Sequence, residues 1–364
     1  MHVAAEPIAA LPTLPWLPQP LLALRAGESG RYTEFTPLGS GGKAEVFRCR
    51  DPQLGREVAY KVLHHRLANN EAEVADLVRE ARIMAGLAHP GVPTVFDIGF
   101  DCHGRPFFTQ TLITGATLRS VVDGLRHGGA TASDAWPLER IVRVLLTAAD
   151  AISHAHARGV LHCDLKPDNV IVGPDDRGHV IDWGIACVPA ELIQQRGLMA
   201  PGAPPPRPPH RGSPLYMAPE QAANLSLDHR TDVFGLGAVL YECLTLSPPA
   251  TGRNVADVLG RIETTSPPTP RQRSPRRGIT PELDELTMRA LARLPADRFG
   301  SAIEFQLALR EAHLDLLVNY DRDPPPNADP LESPCDAAEL SDWWELQLTD
   351  QWPGADAVKL IAGK

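Results

Sequence analysis

The chain has 364 residues, of which 43% are hydrophobic and 22% are charged, a balance typical of soluble globular proteins and far from disordered or collagen-like sequences. This length is long for one small domain and suits two lobes that share a cleft. The formal net charge of -10 argues against a general affinity for nucleic acid or anionic membranes, so neither is an expected partner.

The cysteines and the N-terminal residues give information on the cellular location of the protein. The six cysteines form no C-x-x-C pair and no zinc-like spacing, so we expect reduced thiols and a cytoplasmic protein, unless a longer form adds a membrane segment. Residues 1–30 are apolar, but prolines interrupt them and they lack a basic start, unlike a signal peptide or a spanning helix. Their content of Pro, Ala and Leu predicts a flexible, extended arm.

Residues 32–113 show strand patterns with one helical interruption. The strand-like segments read YTEFTPLG, AEVFRCRD, EVAYKVL, TVFDIGF and PFFTQTL. The helical segment reads EAEVADLVREARIMAGLA and carries apolar residues at a spacing of three to four. This part of the chain is therefore predicted to be a sheet with one helix.

Helix patterns dominate from Thr117 onward. The helical segments read LERIVRVLLTAADAISHAHARG, DVFGLGAVLYECLT, PELDELTMRALARL and SAIEFQLALREAHLDLL. Two Pro-rich stretches, residues 199–214 and 264–278, are expected to be exposed loops. After about Tyr320 the sequence turns acidic and carries adjacent tryptophans in DWWELQLTD, which indicates either a disordered tail or a docking segment for the protein's own surface or a partner.

The segment LGSGGKAEVF contains a glycine-rich turn between two predicted strands. In such a turn, Gly39 and Gly41 let backbone amides approach phosphate oxygens without a Cβ in the way. Plain hairpins also use turns of this kind, so the glycines alone do not indicate a phosphate site. Lys61 in VAYK could reach phosphate oxygens from the next strand, with Glu80 of the helix as its partner. A Lys–Glu pair alone would be a surface salt bridge of little energetic weight.

A second group of polar residues lies in the helical part. The segment HCDLKPDN (residues 162–169) supplies Asp164, Lys166 and Asn169, and VIDWG supplies Asp182. The segment GSPLYMAPE (residues 212–220) ends a long loop, and DVFGLG and PADRF come after it. In this order, the segments resemble the eukaryotic-like, Hanks-type serine/threonine protein kinases of bacteria, over roughly residues 32–317.

The resemblance implies an α+β fold class, a bilobal protein-kinase-like fold with a small β-rich N-lobe and a larger helical C-lobe. It predicts five regions along the chain. They are a Pro/Ala/Leu-rich arm (1–30), the N-lobe and hinge (31–113), the C-lobe (114–318) with a Pro-rich activation segment (182–220), and an acidic tail (319–364).

The resemblance also implies phosphoryl transfer from ATP to serine or threonine hydroxyls of protein substrates, a reaction that depends on positioning and charge neutralisation. In the catalytic loop, residues 162–169, Asp164 would accept or orient the proton of the substrate hydroxyl. Lys166 would neutralise charge on the γ-phosphoryl oxygens, while Lys61, with Glu80 as its partner, would reach the α- and β-phosphates. The implied metal ligands are Asn169 and Asp182, which would bind Mg²⁺, or Mn²⁺ in its place, through hard oxygen atoms.

The same resemblance implies an adenine pocket. Gln110 would lie at its back, where a polar residue is atypical of the family. The Thr111 carbonyl and the Ile113 amide would bind the base, between the apolar faces of other side chains. The ATP-binding residues assigned in this way are Leu38, Gly39, Gly41, Val46, Ala59, Lys61, Gln110, Thr111, Ile113 and Ile171.

Several residues have structural roles in the resemblance. An apolar column linking the lobes would contain His162, Trp183, Met84 and Val95. In this column Trp183 replaces the commoner phenylalanine and keeps the aromatic contact.

Four polar residues complete the roles that the resemblance implies. In the substrate-side segment, residues 212–220, Ser213 stands where the family usually has a threonine that helps to form the substrate pocket. Glu220 would form a buried pair with Arg298 and hold the end of this segment. Asp232 would brace the catalytic loop by accepting backbone hydrogen bonds.

Cys163 stands where many family members have an arginine that pairs with a phosphate on the activation segment. Within residues 185–217 the only hydroxylated side chains are Ser213 and Tyr216, both near the substrate end. The phosphate receptor and the usual acceptors are absent together, so we hypothesise that phosphorylation of this segment does not switch the protein. A redox role for Cys163 is an alternative, but a neighbouring Asp164 disfavours a thiolate, so an inert replacement is the preferred interpretation.

Two rival functions share these motifs. A pseudokinase that binds nucleotide or partner proteins without catalysis would fit Ala44 in place of the third glycine, Cys163 and the Pro-rich loop. None of these departures removes a residue required for the chemistry. A small-molecule kinase with the same lobes is less favoured, because the substrate-side segment resembles that of enzymes with protein substrates.

Overall fold

In the computed structural model, which describes residues 31–188 and 212–320, the first part of the chain forms a five-stranded sheet. The strands pair antiparallel in the order β1-β2-β3-β5-β4, with β3 in the centre. Their bounds are β1 Thr33–Ser40, β2 Ala44–Asp51, β3 Arg56–Leu63, β4 Val95–Phe100 and β5 Pro106–Thr111. The five strand-like segments of the sequence are thus confirmed as strands.

One long helix, α1 (Glu71–Gly86), packs against β4 and β5 of this sheet. Asn70 caps it by accepting hydrogen bonds from the backbone amides of Ala72 and Glu73. A helix leaves its first amides without internal partners, so this cap fixes where α1 begins. Its apolar face joins the core of the molecule and fixes the rotation of the polar residues around the helix.

The second part of the chain is helical and is built around α6 (His229–Thr245). Every residue of α6 from Thr231 to Thr245 is buried, which is the pattern of a helix enclosed on all sides. The long helices α4 (Leu138–His156) and α10 (Ala302–Tyr320) pack against each other and against α6. The remaining helices are α2 Leu118–His127, α3 Gly129–Ala135, α5 Pro219–Ala222, α7 Val255–Thr264, α8 Pro270–Arg273 and α9 Pro281–Ala290.

A small three-stranded sheet, in the order β6-β7-β8, packs against α2 and α4 of the helical part. Its strands are β6 Ala116–Thr117, β7 Val170–Val172 and β8 Gly178–Val180, so the catalytic loop leads directly into β7. One hydrophobic core runs from the large sheet through α1 to α4, α6 and α10. The predicted α+β architecture, with a small β-rich lobe and a larger helical lobe, is confirmed.

Two local predictions need correction. Gly39 lies in β1 rather than in the turn, because the β1–β2 ladder extends to the pair Ser40↔Glu45 and only residues 41–43 form the tip. Residues 264–278 are only in part an exposed loop. They contain α8, which Thr269 caps at its N-terminus, and Ser274 is buried. A proline at the first position of a helix is compatible with helix formation, and the Pro-rich composition concealed this turn.

Three predicted regions fall wholly or partly outside the described residues: the arm (1–30), most of the activation segment (189–211) and the tail beyond residue 320. Their predicted properties stay predictions. Within the part of the chain that the structure describes, no helix combines the length and the apolar character needed to cross a membrane.

The contact between α6 and α9 gives a test of the packing. A Cβ added to Gly237 would lie 2.6 Å from the Cβ of Ala290, so Gly237→Ala forces the two helices apart. We expect a loss of about 1–3 kcal/mol in the free energy of unfolding, measured by urea denaturation. Gly124→Ala on α2 is the matched control, because a Cβ there meets nothing within 4 Å and should stabilise the helix by up to about 1 kcal/mol. Equal effects of the two substitutions would contradict this packing.

Candidate active site

A cavity of about 490 Å³ lies in the cleft between the large sheet and the helical part, within the size range of small-molecule sites. Its walls include all of the residues predicted to bind ATP, namely Leu38, Gly39, Gly41, Val46, Ala59, Lys61, Gln110, Thr111, Ile113 and Ile171. Glu80, Asp164, Asn169 and Asp182 line the same cavity. Residues that are far apart in sequence therefore meet around one space.

An ion cluster forms part of the cavity wall. Lys61 Nζ, on β3, lies 2.7 Å from Glu80 Oε1 on α1 and 2.9 Å from Asp182 Oδ1, just after β8. The Glu80 side chain is 5% exposed and that of Asp182 is 46% exposed, so the cluster links a buried helix to the open cleft. Burial alone would lower the pKa of Lys61, but Asp182 and Glu80 outweigh it and raise this pKa, so the ammonium stays charged. Lys61 in turn lowers the pKa of Asp182.

A hydrogen-bonded group surrounds Asp164 in the catalytic loop. Asn169 Nδ2 donates to the Asp164 carbonyl at 2.8 Å and to its Oδ2 at 3.2 Å. Lys166 Nζ lies 3.2 Å from the same Oδ2 and donates to Ser213 Oγ at 2.8 Å. The Ser213 amide donates to Asp164 Oδ1 at 2.9 Å. Both carboxylate oxygens of Asp164 are thus held, and the substrate-side segment is tied to the catalytic loop.

The catalytic loop rests on Asp232, in the first turn of α6. The two Asp232 carboxylate oxygens accept hydrogen bonds from the backbone amides of His162 and Cys163, each at 2.8 Å. His156 Nε2 lies 2.7 Å from Asp232 Oδ2. Burial would raise the pKa of Asp232, but the hydrogen bond to His156 and the neighbouring charges lower it, so the acceptor stays ionised.

The apolar residues predicted to link the lobes lie in or against one core. The rings of His162 and Trp183 meet edge to face with centroids 4.6 Å apart, and neither side chain is exposed. Met84 belongs to the same buried cluster as Trp183, and Val95 packs against that cluster. Trp183 Nε1 donates to the Val180 carbonyl at 3.2 Å, so the larger ring gains a polar partner that a phenylalanine would lack.

Glu220 and Arg298 form a buried bidentate pair with both N···O distances at 2.7 Å. Thr231 Oγ1 donates to Glu220 Oε1 at 2.9 Å. The Arg298 guanidinium also donates to three backbone carbonyls, so its charge is fully surrounded by acceptors. The end of the substrate-side segment is thereby fastened to the helical part, since breaking such a pair leaves an uncompensated buried charge.

Sequence reasoning missed several residues that contact this site. Gln221 Nε2 donates to the Cys163 carbonyl at 2.9 Å, and Gln221 Oε1 accepts from the Ala218 amide. The Lys43 ammonium, at the tip of the β1–β2 hairpin, lies 2.9 Å from Glu73 Oε2 on α1. Each of these contacts joins residues that are distant in sequence or lack a distinctive local pattern, so no motif indicated them.

Comparisons with known proteins agree with this geometry. The family model described as Protein kinase domain matches residues 32–308. Serine/threonine-protein kinase pkn3 of Myxococcus xanthus is 35% identical over 286 residues, which are 77% of this chain and 49% of pkn3. The DNA damage-responsive serine/threonine-protein kinase RqkA of Deinococcus radiodurans is 33% identical over 356 residues, 94% of this chain and 48% of RqkA. For serine/threonine-protein kinase PknB of Mycobacterium tuberculosis, 33% identity extends over 291 residues, 78% of this chain and 43% of PknB.

The chain thus spans about half the length of each of these relatives. The match to the family model covers both the sheet and the helical part, and it includes every element that lines the cavity. Kinases of this family use ATP and a divalent metal ion. The fold, the cavity and the relatives lead to one conclusion: the chain belongs to the protein kinase domain family.

Proposed function

We propose that the chain is a protein serine/threonine kinase that transfers the γ-phosphate of ATP to hydroxyl groups of proteins. One observation carries the proposal: the charged cluster of Lys61, Glu80 and Asp182 lines the same cavity as Asp164 and Asn169. Phosphoryl transfer depends on positioned charges of this kind. The relatives named above are all described as serine/threonine-protein kinases, and a pseudokinase is not favoured.

The hairpin over the cavity suits a phosphate chain. A Cβ on Gly39 would meet no atom within 4 Å, and one on Gly41 would meet only the Ala44 carbonyl oxygen at 3.9 Å. Neither glycine has a positive φ. Packing and backbone geometry therefore do not require glycine at either position, and close approach of a phosphate would give a physical reason for both.

The other end of the cavity suits a nucleotide base. Val46 and Ala59 line it from the sheet and Ile171 from β7, which gives apolar walls on two sides. Gln110 Oε1 is buried and has no hydrogen-bond donor among the described residues. An amino group on the base would supply such a donor and would remove the cost of an unpaired buried acceptor. We propose that Thr111 and Ile113 contact the base through their backbone.

The ligand set for a metal ion is small. Among the described residues, no group of three or more His, Cys, Asp or Glu side chains could hold a metal. Asp182 offers a carboxylate and Asn169 an amide oxygen, since the Asn169 amino group donates to Asp164. Mg²⁺ takes few protein ligands and completes its shell with water and phosphate oxygens, so this set fits Mg²⁺ that arrives with ATP. The bound ion would offset the charge of the phosphates.

In the proposed phosphoryl transfer, different residues of the chain have different roles. Asp164, held by Lys166 and the Ser213 amide, orients the substrate hydroxyl and receives its proton. Burial would lower the pKa of Lys166, but Asp164 and the other carboxylates outweigh it and raise this pKa, so a fixed positive charge faces the transferred group. Lys61, oriented by Glu80, holds the phosphates on the opposite side of the cavity.

The surroundings of Cys163 support a kinase that segment phosphorylation does not switch. Cys163 is 4% exposed, and burial raises the pKa of its thiol well above the usual value, so it offers a phosphate neither a cation nor an accessible group. Its φ of 64° lies in the left-handed region, a cost of about 1–3 kcal/mol for a residue other than glycine. Asp232 holds its amide and Gln221 holds its carbonyl, so this conformation needs no added charge.

Asp164→Asn tests the proposed activity. We expect wild-type protein with radiolabelled ATP and Mg²⁺ to label itself or a generic protein substrate, and the variant to lose about a hundredfold or more in rate. The variant keeps the shape of the side chain, so its ATP affinity should stay close to that of the wild type. Wild-type protein that binds ATP but labels no protein would contradict the proposal and favour the pseudokinase.

The glycines of the hairpin allow a second test. Gly39→Ala and Gly41→Ala should leave the melting temperature within about 2 °C of the wild type, because the added methyl group meets open space. The affinity for ATP, measured by calorimetry, should fall about tenfold or more, because the methyl group keeps the backbone from the phosphates. An unchanged affinity would refute the assigned phosphate site. A large drop in melting temperature would show that the glycines serve the fold.

A further inference from the structure

A short segment after β3, residues 64–66, contacts the tip of the β1–β2 hairpin. His64 Nε2 lies 2.6 Å from the Gly41 carbonyl oxygen, and Arg66 Nη2 donates to the Gly42 carbonyl. Since a carbonyl oxygen only accepts hydrogen bonds, the imidazole carries a hydrogen on Nε2 and donates it to Gly41. We call residues 64–66 the clamp segment, because two of its side chains hold successive carbonyls of the tip.

Two further contacts fasten the tip. The His64 backbone amide donates to the Lys43 carbonyl at 2.9 Å, so three successive carbonyls of the tip accept hydrogen bonds from the clamp segment. The Lys43 ammonium lies 2.9 Å from Glu73 Oε2 and 3.7 Å from Asp76 Oδ2, both on α1. The tip is therefore held by its backbone on the clamp segment and by its lysine on α1.

The held carbonyls determine where the amides of the tip point. In a trans peptide, the carbonyl of one residue and the amide of the next point in opposite directions. Gly41 and Gly42 direct their carbonyls to the clamp segment, so the amides of Gly42 and Lys43 point away from it. Neither of these amides has a backbone acceptor among the described residues.

The clamp segment lies outside the cavity that we assign to ATP. Residues 41–43 of the tip belong to the cavity wall, whereas residues 64–66 do not. Carbonyls that point to the clamp segment therefore point out of the cavity, and the two amides on their opposite side point towards it. Successive backbone amides that face one space can bind an anion such as a phosphate group.

We propose that His64 and Arg66 are positioning residues that fix the hairpin tip with its amides ready for the phosphates of ATP. Neither side chain touches the nucleotide, and each acts through a carbonyl of the tip. A glycine-rich tip without these contacts would lose more conformational freedom on binding, which would weaken the affinity. The inference rests on the part of the proposed function that places ATP in the cavity.

Exposure distinguishes the contributions of the two side chains. The His64 side chain is 21% exposed, and its Nδ1 lies 3.9 Å from Glu45 Oε2, so a carboxylate stands beside the second ring nitrogen. Arg66 is exposed, and charged contacts at the surface contribute little because water screens them. The loss of the His64 side chain should therefore have the larger effect.

The test compares nucleotides with and without phosphates by calorimetry. We expect His64→Ala to weaken the binding of ATP and of ADP by about three- to tenfold, the loss typical of one hydrogen bond, and Arg66→Ala by about twofold. The affinity for adenosine should stay within about twofold of the wild type in both variants, because adenosine has no phosphate for the tip to bind.

Two further variants serve as controls. His64→Gln should keep most of the affinity for ATP, because its side-chain amide still offers a hydrogen-bond donor to the Gly41 carbonyl. His65→Ala should bind ATP like the wild type, since the His65 side chain is exposed and makes none of the described contacts with the tip.

Three results would overturn the inference. They are an unchanged affinity of His64→Ala for ATP, an equal loss for ATP and adenosine, and wild-type protein that binds ATP no more tightly than adenosine. Binding needs no turnover, so the test is independent of catalysis. Wild-type protein that binds ATP but labels no protein would refute the proposed kinase activity and leave this inference standing.

Discussion

The buried carboxylate of Asp232 is the interaction on which the catalytic loop depends. It sits in the first turn of α6, a helix enclosed on all sides, and it accepts hydrogen bonds from the backbone amides of His162 and Cys163. A buried carboxylate is costly unless its lone pairs accept hydrogen bonds. Packing of α6 therefore requires the catalytic loop to place these two amides against Asp232. Near the other end of the same helix, the buried Glu242 carboxylate likewise accepts hydrogen bonds from Arg119 and Tyr216. The folding of one helix thus places both the catalytic loop and the substrate-side segment.

This arrangement explains how a cysteine is accommodated before Asp164. An exposed arginine at this position would leave a cation that needs a partner, whereas the buried Cys163 thiol needs none. The strained backbone at Cys163 is held on both sides by side chains of the helical part. The structure holds the substrate-side segment through fixed contacts of Lys166 with Ser213 and of Arg298 with Glu220.

Prediction from the sequence was most accurate for features that depend on residues close together in the chain. The strands around Lys61 and the helix that carries Glu80 can be predicted from apolar spacing, and the order of the short motifs indicated which polar residues share the cavity. Prediction failed for contacts between side chains that are distant in the sequence. Nothing near Arg119 in the sequence predicts its pairing with Glu242, 123 positions away. The loop predicted for residues 264–278 was wrong in part because proline content concealed a capped helical turn, and Gly39 was misplaced because strand length depends on pairing rather than on composition.

We propose that the enzyme is competent when the chain folds, without phosphorylation of the segment between Asp182 and Glu220. The decisive measurement is the time course of phosphate transfer to a protein substrate by protein first treated with phosphatase and shown by intact mass to carry no phosphate. We expect the rate to be linear from the first turnovers and proportional to protein concentration, with no lag. A lag that shortens at higher protein concentration or after preincubation with ATP, together with a phosphorylated residue required for activity, would contradict this account.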